Sequence, residues 1–158
     1  GEEGEVTIGG PQTCTAIISP EGEWEDYENI RIRTGDLAIM DEDGFVRVTG
    51  RTKDLIIRGG VNIAPIEIDN VLLAHPSLSQ AAAIGVPDAI YGEEIVCYVV
   101  AKPGETADAP DILTHCAKFL PEFKAPKRIY VVDDLPKSDR GKVLRDKIRE
   151  LWDRDHRG

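Results

Sequence analysis

Cysteine, methionine and aromatic residues are scarce in this chain: three Cys, one Met and 6% Phe, Trp and Tyr among 158 residues. Cys14, Cys97 and Cys116 are odd in number and lack Cys-x-x-Cys spacing, which argues against a disulfide framework and a zinc site. A reducing, cytoplasmic setting is expected. No apolar run approaches the ~18 residues needed to cross a bilayer, so no transmembrane segment is expected. Basic residues are outnumbered, 19 Lys plus Arg against 29 Asp plus Glu, and the net charge of −10 speaks against a nucleic-acid partner. His75, His115 and His156 are too scattered to form a ligand set, so no metal site is expected within the chain. No Ser-His-Asp order suggests a hydrolase triad. The start, "GEEGEVTIGG", has neither the basic nor the apolar region of a signal peptide and opens in mid-pattern, so a piece of a longer protein is expected.

What is present is a composition with 41% apolar residues, enough for a core. The first part consists of short extended segments, "GEVTIGG", "TCTAIIS", "IRIRTGDLAIM" and "DEDGFVRVTG", separated by glycine and acidic turns. "DEDG" between two alternating apolar runs predicts a hairpin. Past Gly50–Asp54 the texture changes to alternating strands and helices. "DLIIRGGVNIAP" reads as a strand pair and "PIEIDNVLLAHP" as a helix with Pro65 in its first turn and Ile68, Val71 and Leu72 on one face. "LSQAAAIGVPD" and "EEIVCYVVAKPG" read as strands, and "APDILTHCAKFLPEF" as a helix starting near Asp111. "KRIYVVDDLP" is one more strand, and "KVLRDKIRELWDRD" a closing amphipathic helix that begins at Lys142. The expected fold is α+β: a β-rich, barrel-like segment over residues 1–52, then a small domain over 53–158 with a mixed or antiparallel sheet flanked by helices.

Four local patterns could carry chemistry, and each has a plain structural alternative. In "TGDL", Asp36 offers two oxygens to neighbouring hydroxyls such as those of a ribose, or it simply closes a turn. In "GRTKD", Arg51 presents a planar fork suited to phosphate or ribose oxygens, and Lys53 lies at the change of texture; both could be merely solvated. In "IRGGVNIAPIEI", Gly59 and Gly60 permit positive backbone dihedrals or close approach of another group, as a bare hairpin would also require. They are not a dinucleotide fingerprint, because the third glycine and the strand–glycine–helix order are missing. In "PKSDRGK", Lys142 beside Gly141 could swing into a site on another domain and stabilise developing charge, or be a solvated lysine at a helix start. Cys97 lies in an apolar strand and reads as core.

In this order and spacing, "TGDL", "GRTKDLIIRGGVNIAPIEID", "FLPEFKAPKRI" and "LPKSDRGKVLR" resemble the C-terminal part of the adenylate-forming enzymes. These include acyl- and aryl-coenzyme A synthetases, peptide-synthetase adenylation domains and firefly luciferase. The resemblance covers nearly the whole chain and implies the end of a large N-terminal domain followed by a mobile C-terminal domain. It implies that Asp36 holds the ATP ribose hydroxyls, Arg51 contacts the nucleotide, Lys53 is the hinge, Gly59 and Gly60 border the pantetheine tunnel, and Lys142 is the adenylation lysine. ATP with Mg2+ would be bound mainly by the N-terminal domain, with coenzyme A as co-substrate. Lys124, Lys127 and Arg128 in "FKAPKR" could meet the coenzyme A phosphates, or be a solvated edge patch.

The family's Ser/Thr/Gly-rich phosphate loop and its acyl pocket are not in this sequence. The expected parent is therefore an ATP-dependent acid–coenzyme A ligase of unspecified acyl or aryl acid, partnered by its own N-terminal domain, and the isolated chain is expected to be inactive. The end at "LWDRDHRG", soon after the lysine helix, favours a free-standing ligase. A peptide-synthetase adenylation domain, an acyl-adenylate ligase loading a carrier protein, and a non-catalytic interaction module of the same fold are the alternatives.

Overall fold

A computed structural model describes residues 1–26 and 31–156. Ile30, the expected start of one strand, and the last two residues, Arg157 and Gly158, lie outside the described residues. The chain forms two compact units, Gly1–Lys53 and Asp54–Gly158.

The first unit contains β1 (Glu3–Ile8), β2 (Ala16–Ile18), β3 (Trp24–Asp26), β4 (Ile32–Met40) and β5 (Val46–Arg51). β1, β4 and β5 form an open antiparallel sheet in that order, and β2 pairs with β3 separately; the described residues do not close into a barrel. The β4–β5 hairpin turns on "DEDG" as its residues dictate. Asp41 Oδ1 accepts the N–H groups of Asp43 (3.1 Å) and Phe45 (2.8 Å), and Gly44 adopts a φ of +86°. The resulting register places Asp36 directly opposite Arg51.

The second unit is α+β, in agreement with the sequence expectation. It contains β6 (Ile56–Arg58), β7 (Val61–Ile63), α1 (Pro65–Leu73), β8 (Leu78–Asp88), β9 (Gly92–Ala101), α2 (Ala109–Phe119), β10 (Arg128–Val131) and α3 (Arg145–His156). The five strands make one mixed sheet in which β10 runs parallel to β9 and the other pairs are antiparallel. β9 is central, which explains its nearly unbroken apolar sequence.

Strand alternation sorts the core into two layers. Ile95, Cys97 and Val99, with Ala81 and Ala83, face α1 and α2, where they meet Ile68, Leu72, Ile112 and Cys116. Val96, Tyr98 and Val100, with Ala82, Ile84 and Val86, face the α3 side and pack with Ile148 and Leu135. Pro65 occupies the first turn of α1, where its missing N–H costs nothing. Asp108 caps α2 by accepting the Asp111 N–H (3.2 Å), leaving Asp111 in the first turn.

Helix ends differ from expectation in two places. α2 stops at Phe119, ahead of Pro121, and Glu122–Lys124 form a separate 3-10 turn. α3 begins at Arg145, three residues beyond Lys142. Val143 is instead extended, bridging back to Lys137 and packing against the α3-side core.

Candidate functional site

Lys142 closes a small ordered hairpin. The Ser138 N–H donates to Lys142 O (2.8 Å), the Gly141 N–H to Ser138 O (2.8 Å) and the Leu144 N–H to Pro136 O (2.9 Å). The Lys142 N–H in turn reaches Ser138 Oγ (3.2 Å). Gly141 has a φ of +77°, a conformation strained for any residue with a Cβ, so the glycine is required by the turn itself. The hairpin stands on the buried Leu135 at one end and on the partly buried Arg145 at the other. Lys142 is exposed, and its ammonium has no partner among the described residues. A cation held this way is available to a charge brought to it from outside, while its backbone is already ordered.

Asp36 and Arg51 meet across β4 and β5: Arg51 Nε donates to Asp36 Oδ1 at 2.7 Å, with both side chains partly exposed. The backbone N–H of Asp36 is taken by Thr34 Oγ1 (3.1 Å), which fixes the local turn. Asp36 Oδ2 has no partner among the described residues, so one carboxylate oxygen stays open while Arg51 orients the other. Lys53 sits in a 3-10 turn, Thr52–Asp54, at the end of the first unit.

Gly59 and Gly60 form the two-residue turn of the β6–β7 hairpin, with φ of +58° and +81°. A Cβ on Gly60 would meet nothing within 4 Å, and one on Gly59 only the Tyr91 ring at 3.7 Å. The turn's flank is rigid. Arg58 stacks its guanidinium 4.4 Å from the Tyr91 ring centroid and forks onto the buried Glu94 (2.8 and 3.1 Å). Its hydrogen bond to Glu94 raises the guanidinium further above its ordinary range, so Arg58 is a fixed positive charge.

The three cations of "FKAPKR" do not act as one cluster. Lys124 is committed to Glu67 of α1 (2.6 and 2.8 Å). Lys127 and Arg128 instead line a cavity of about 190 Å³ together with Tyr130, Trp152, Glu94 and Asp88.

His75, Cys97 and Cys116 serve the core. His75 is buried between Ser77 Oγ (2.9 Å) and Asp111 Oδ2 (3.2 Å), a Ser-His-Asp contact chain that the sequence order does not signal. Ser77 is itself buried, and the array ties the end of α1 to the start of α2. Burial pushes the Cys97 thiol well above its ordinary range and Cys116 to about 11, which removes both as nucleophiles at neutral pH. Among the described residues no three His, Cys, Asp or Glu side chains converge on a common point, and no helix is long and apolar enough to cross a membrane.

Residues 67–142 match the family model described as "AMP-binding enzyme C-terminal domain". This stretch is an AMP-binding enzyme C-terminal domain. Over 95% of its length the chain is 44% identical to the probable CoA ligase CCL9 of Humulus lupulus, of which it covers 29%. Over 90% it is 46% identical to an oxalate–CoA ligase of Arabidopsis thaliana, of which it covers 28%. Among solved structures, the o-succinylbenzoate CoA synthetase MenE of Bacillus subtilis, in complex with the acyl-adenylate intermediate OSB-AMP, matches with a TM-score of 0.82 at 32% identity. That match covers 94% of this chain and 30% of the other. The chain thus spans about 30% of the length of the relatives it matches.

Two ion pairs of the second unit have no local signature in the sequence, Arg58–Glu94 and Arg145–Asp69. Arg58 directly precedes the glycine pair and Arg145 follows the candidate lysine by three residues, and that proximity was the only available signal. Their partners lie 36 and 76 residues away, beyond the reach of local pattern.

Proposed function

We propose that this chain works as the C-terminal part of an AMP-forming acid–coenzyme A ligase. In the first half-reaction a carboxylate attacks the α-phosphorus of ATP, giving acyl-adenylate and pyrophosphate. In the second, the coenzyme A thiol attacks the acyl carbon, giving the thioester and AMP. The observation that carries this reading is Lys142, an unpaired ammonium at the tip of an ordered hairpin, in a domain whose named relatives are CoA ligases.

The first step brings two anions together, so a fixed cation bridging carboxylate and phosphate oxygens lowers the barrier as charge develops. Lys142 takes that role. Asp36, oriented by Arg51, receives the ribose hydroxyls on its open oxygen, and Lys53 is the hinge that alternates the domain between the two steps. Gly59 and Gly60 give the pantetheine arm a path without side chains. Lys127 and Arg128 take the coenzyme A phosphates; Lys124, held by Glu67, is not needed for them. ATP with Mg2+ and the acid would be bound mainly by a large N-terminal domain outside this sequence, and a cytoplasmic setting fits the thiols.

In the full-length ligase, Lys142→Ala should lower acid-dependent ATP–pyrophosphate exchange by about a hundredfold or more, the equivalent of ~3 kcal/mol. Thioester formation from supplied acyl-adenylate should survive. Exchange at the parent rate in Lys142→Ala would sink the proposal. The 158 residues alone should show no exchange.

A further inference from the structure

The Lys142 hairpin joins α3 at Arg145, and that junction is clamped across the edge of the sheet. β8 pairs only with β9, so the Ala83 N–H and C=O point to its other side. Asp69 of α1 accepts that N–H on Oδ1 (2.7 Å), and Arg145 donates Nε–H to that C=O (3.2 Å). The circuit closes where Arg145 Nη2 meets Asp69 Oδ2. α1 and α3 lie on opposite faces of the sheet, so the pair reaches around the strand edge and locks both helices to one residue. Both side chains are largely buried, 16% exposed for Arg145 and 10% for Asp69.

A buried ion pair is a poor source of stability, because apolar side chains of similar volume often do as well or better. A guanidinium fork set into fixed acceptors does supply register. Only Val143 and Leu144 separate Arg145 from Lys142, and both are already held, Val143 by its bridge to Lys137 and Leu144 by its N–H on Pro136 O. The connection has no slack. Displacement of Arg145 is therefore passed to the Lys142 turn.

We propose that Arg145 and Asp69 are positioning residues for adenylation, setting where the Lys142 ammonium can reach. This inference rests on the reading of Lys142 as the adenylation lysine. It extends that reading to two residues whose hydrogen bonds are made to each other and to Ala83. A misplacement of about 1 Å at a reacting group costs on the order of a hundredfold in rate, so a loosened clamp should be visible. The thioester step does not use Lys142 and should not notice.

The test uses the full-length ligase and three variants. Asp69→Asn/Arg145→Met removes both charges and leaves none buried alone, Arg145→Lys keeps the charge without the fork, and Lys142→Ala is the reference. ATP–pyrophosphate exchange, thioester formation from supplied acyl-adenylate and the melting temperature are measured on each. Exchange should fall by about tenfold or more in the double variant and by less in Arg145→Lys, with thioester formation within about twofold of the parent in both. Parent-level exchange in the double variant, alongside its loss in Lys142→Ala, would overturn the positioning role alone. A parallel fall of both half-reactions with the melting temperature would reduce the clamp to a fold stabiliser and overturn it equally. Intact exchange in Lys142→Ala would overturn the underlying reading and this inference together.

Discussion

Replacing Arg145 with leucine should destabilise the second unit far more at pH 8 than at pH 5. Burial is the main force on the Asp69 carboxyl and raises it from an ordinary 3.8 to about 6, against the opposing pull of Arg145 and the Ala83 N–H. Asp54 adds a small push in the same direction as burial. A carboxyl raised in the folded state binds its proton more tightly folded than unfolded. Its contribution is complete below 3.8 and is lost as the pH rises through about 6, by about 3 kcal/mol in all. Without Arg145 the carboxyl titrates higher still, and at pH 8 the domain must hold an uncompensated buried charge, or a proton taken up against the pH, at ~3–5 kcal/mol. At pH 5 the carboxyl carries its proton in both folded proteins, and only the hydrogen bonds of Arg145 are missing, about 1 kcal/mol. Urea unfolding of the chain at the two pH values, in a Trp24→Phe background so that Trp152 reports on α3, measures both losses. Equal losses at pH 5 and pH 8 would refute the assignment of Asp69 as a buried carboxyl whose ionised form depends on Arg145.

Gly60→Ala should cost ~1 kcal/mol from its φ of +81° alone, since its Cβ meets nothing, and Gly60→Asn should cost less; thermal unfolding of the two variants side by side checks the difference. Gly85→Ala should cost ~1–2 kcal/mol, because the new Cβ lies 2.8 Å from the Glu93 carboxylate and drives it off the Ile57 N–H; slowed or unchanged hydrogen exchange at that amide would contradict this. Lys142→Ala should leave stability within ~0.5 kcal/mol, since an exposed ammonium without a partner holds nothing together; a clear drop in melting temperature would reveal a structural role.

The elements legible in the sequence are those whose causes are local. "DEDG", the paired Gly59 and Gly60, and Pro65 at a helix start each act within a few residues, and each hairpin and helix formed where they stand. The start of α3 is not legible locally, because Val143 and Leu144 look like the first apolar positions of a helix. They are instead the return strand of the Lys142 hairpin, which Gly141 makes possible. Composition also could not tell which cation of "FKAPKR" would be taken, because Glu67, which claims Lys124, lies 57 residues away. Asp69 is the most instructive miss. Beside Ile68 and Leu72 it reads as the polar flank of an amphipathic helix, yet it is buried, because the β8 residues on the α1 face include the small Ala81 and Ala83. Small residues leave room beside a strand, and β8 has an edge whose N–H and C=O must be satisfied. Long apolar side chains there would have filled the space and pushed α1 outward. A run of small residues in a strand therefore marks where neighbouring elements bring polar groups inward, and here that place lies directly under the candidate lysine's hairpin.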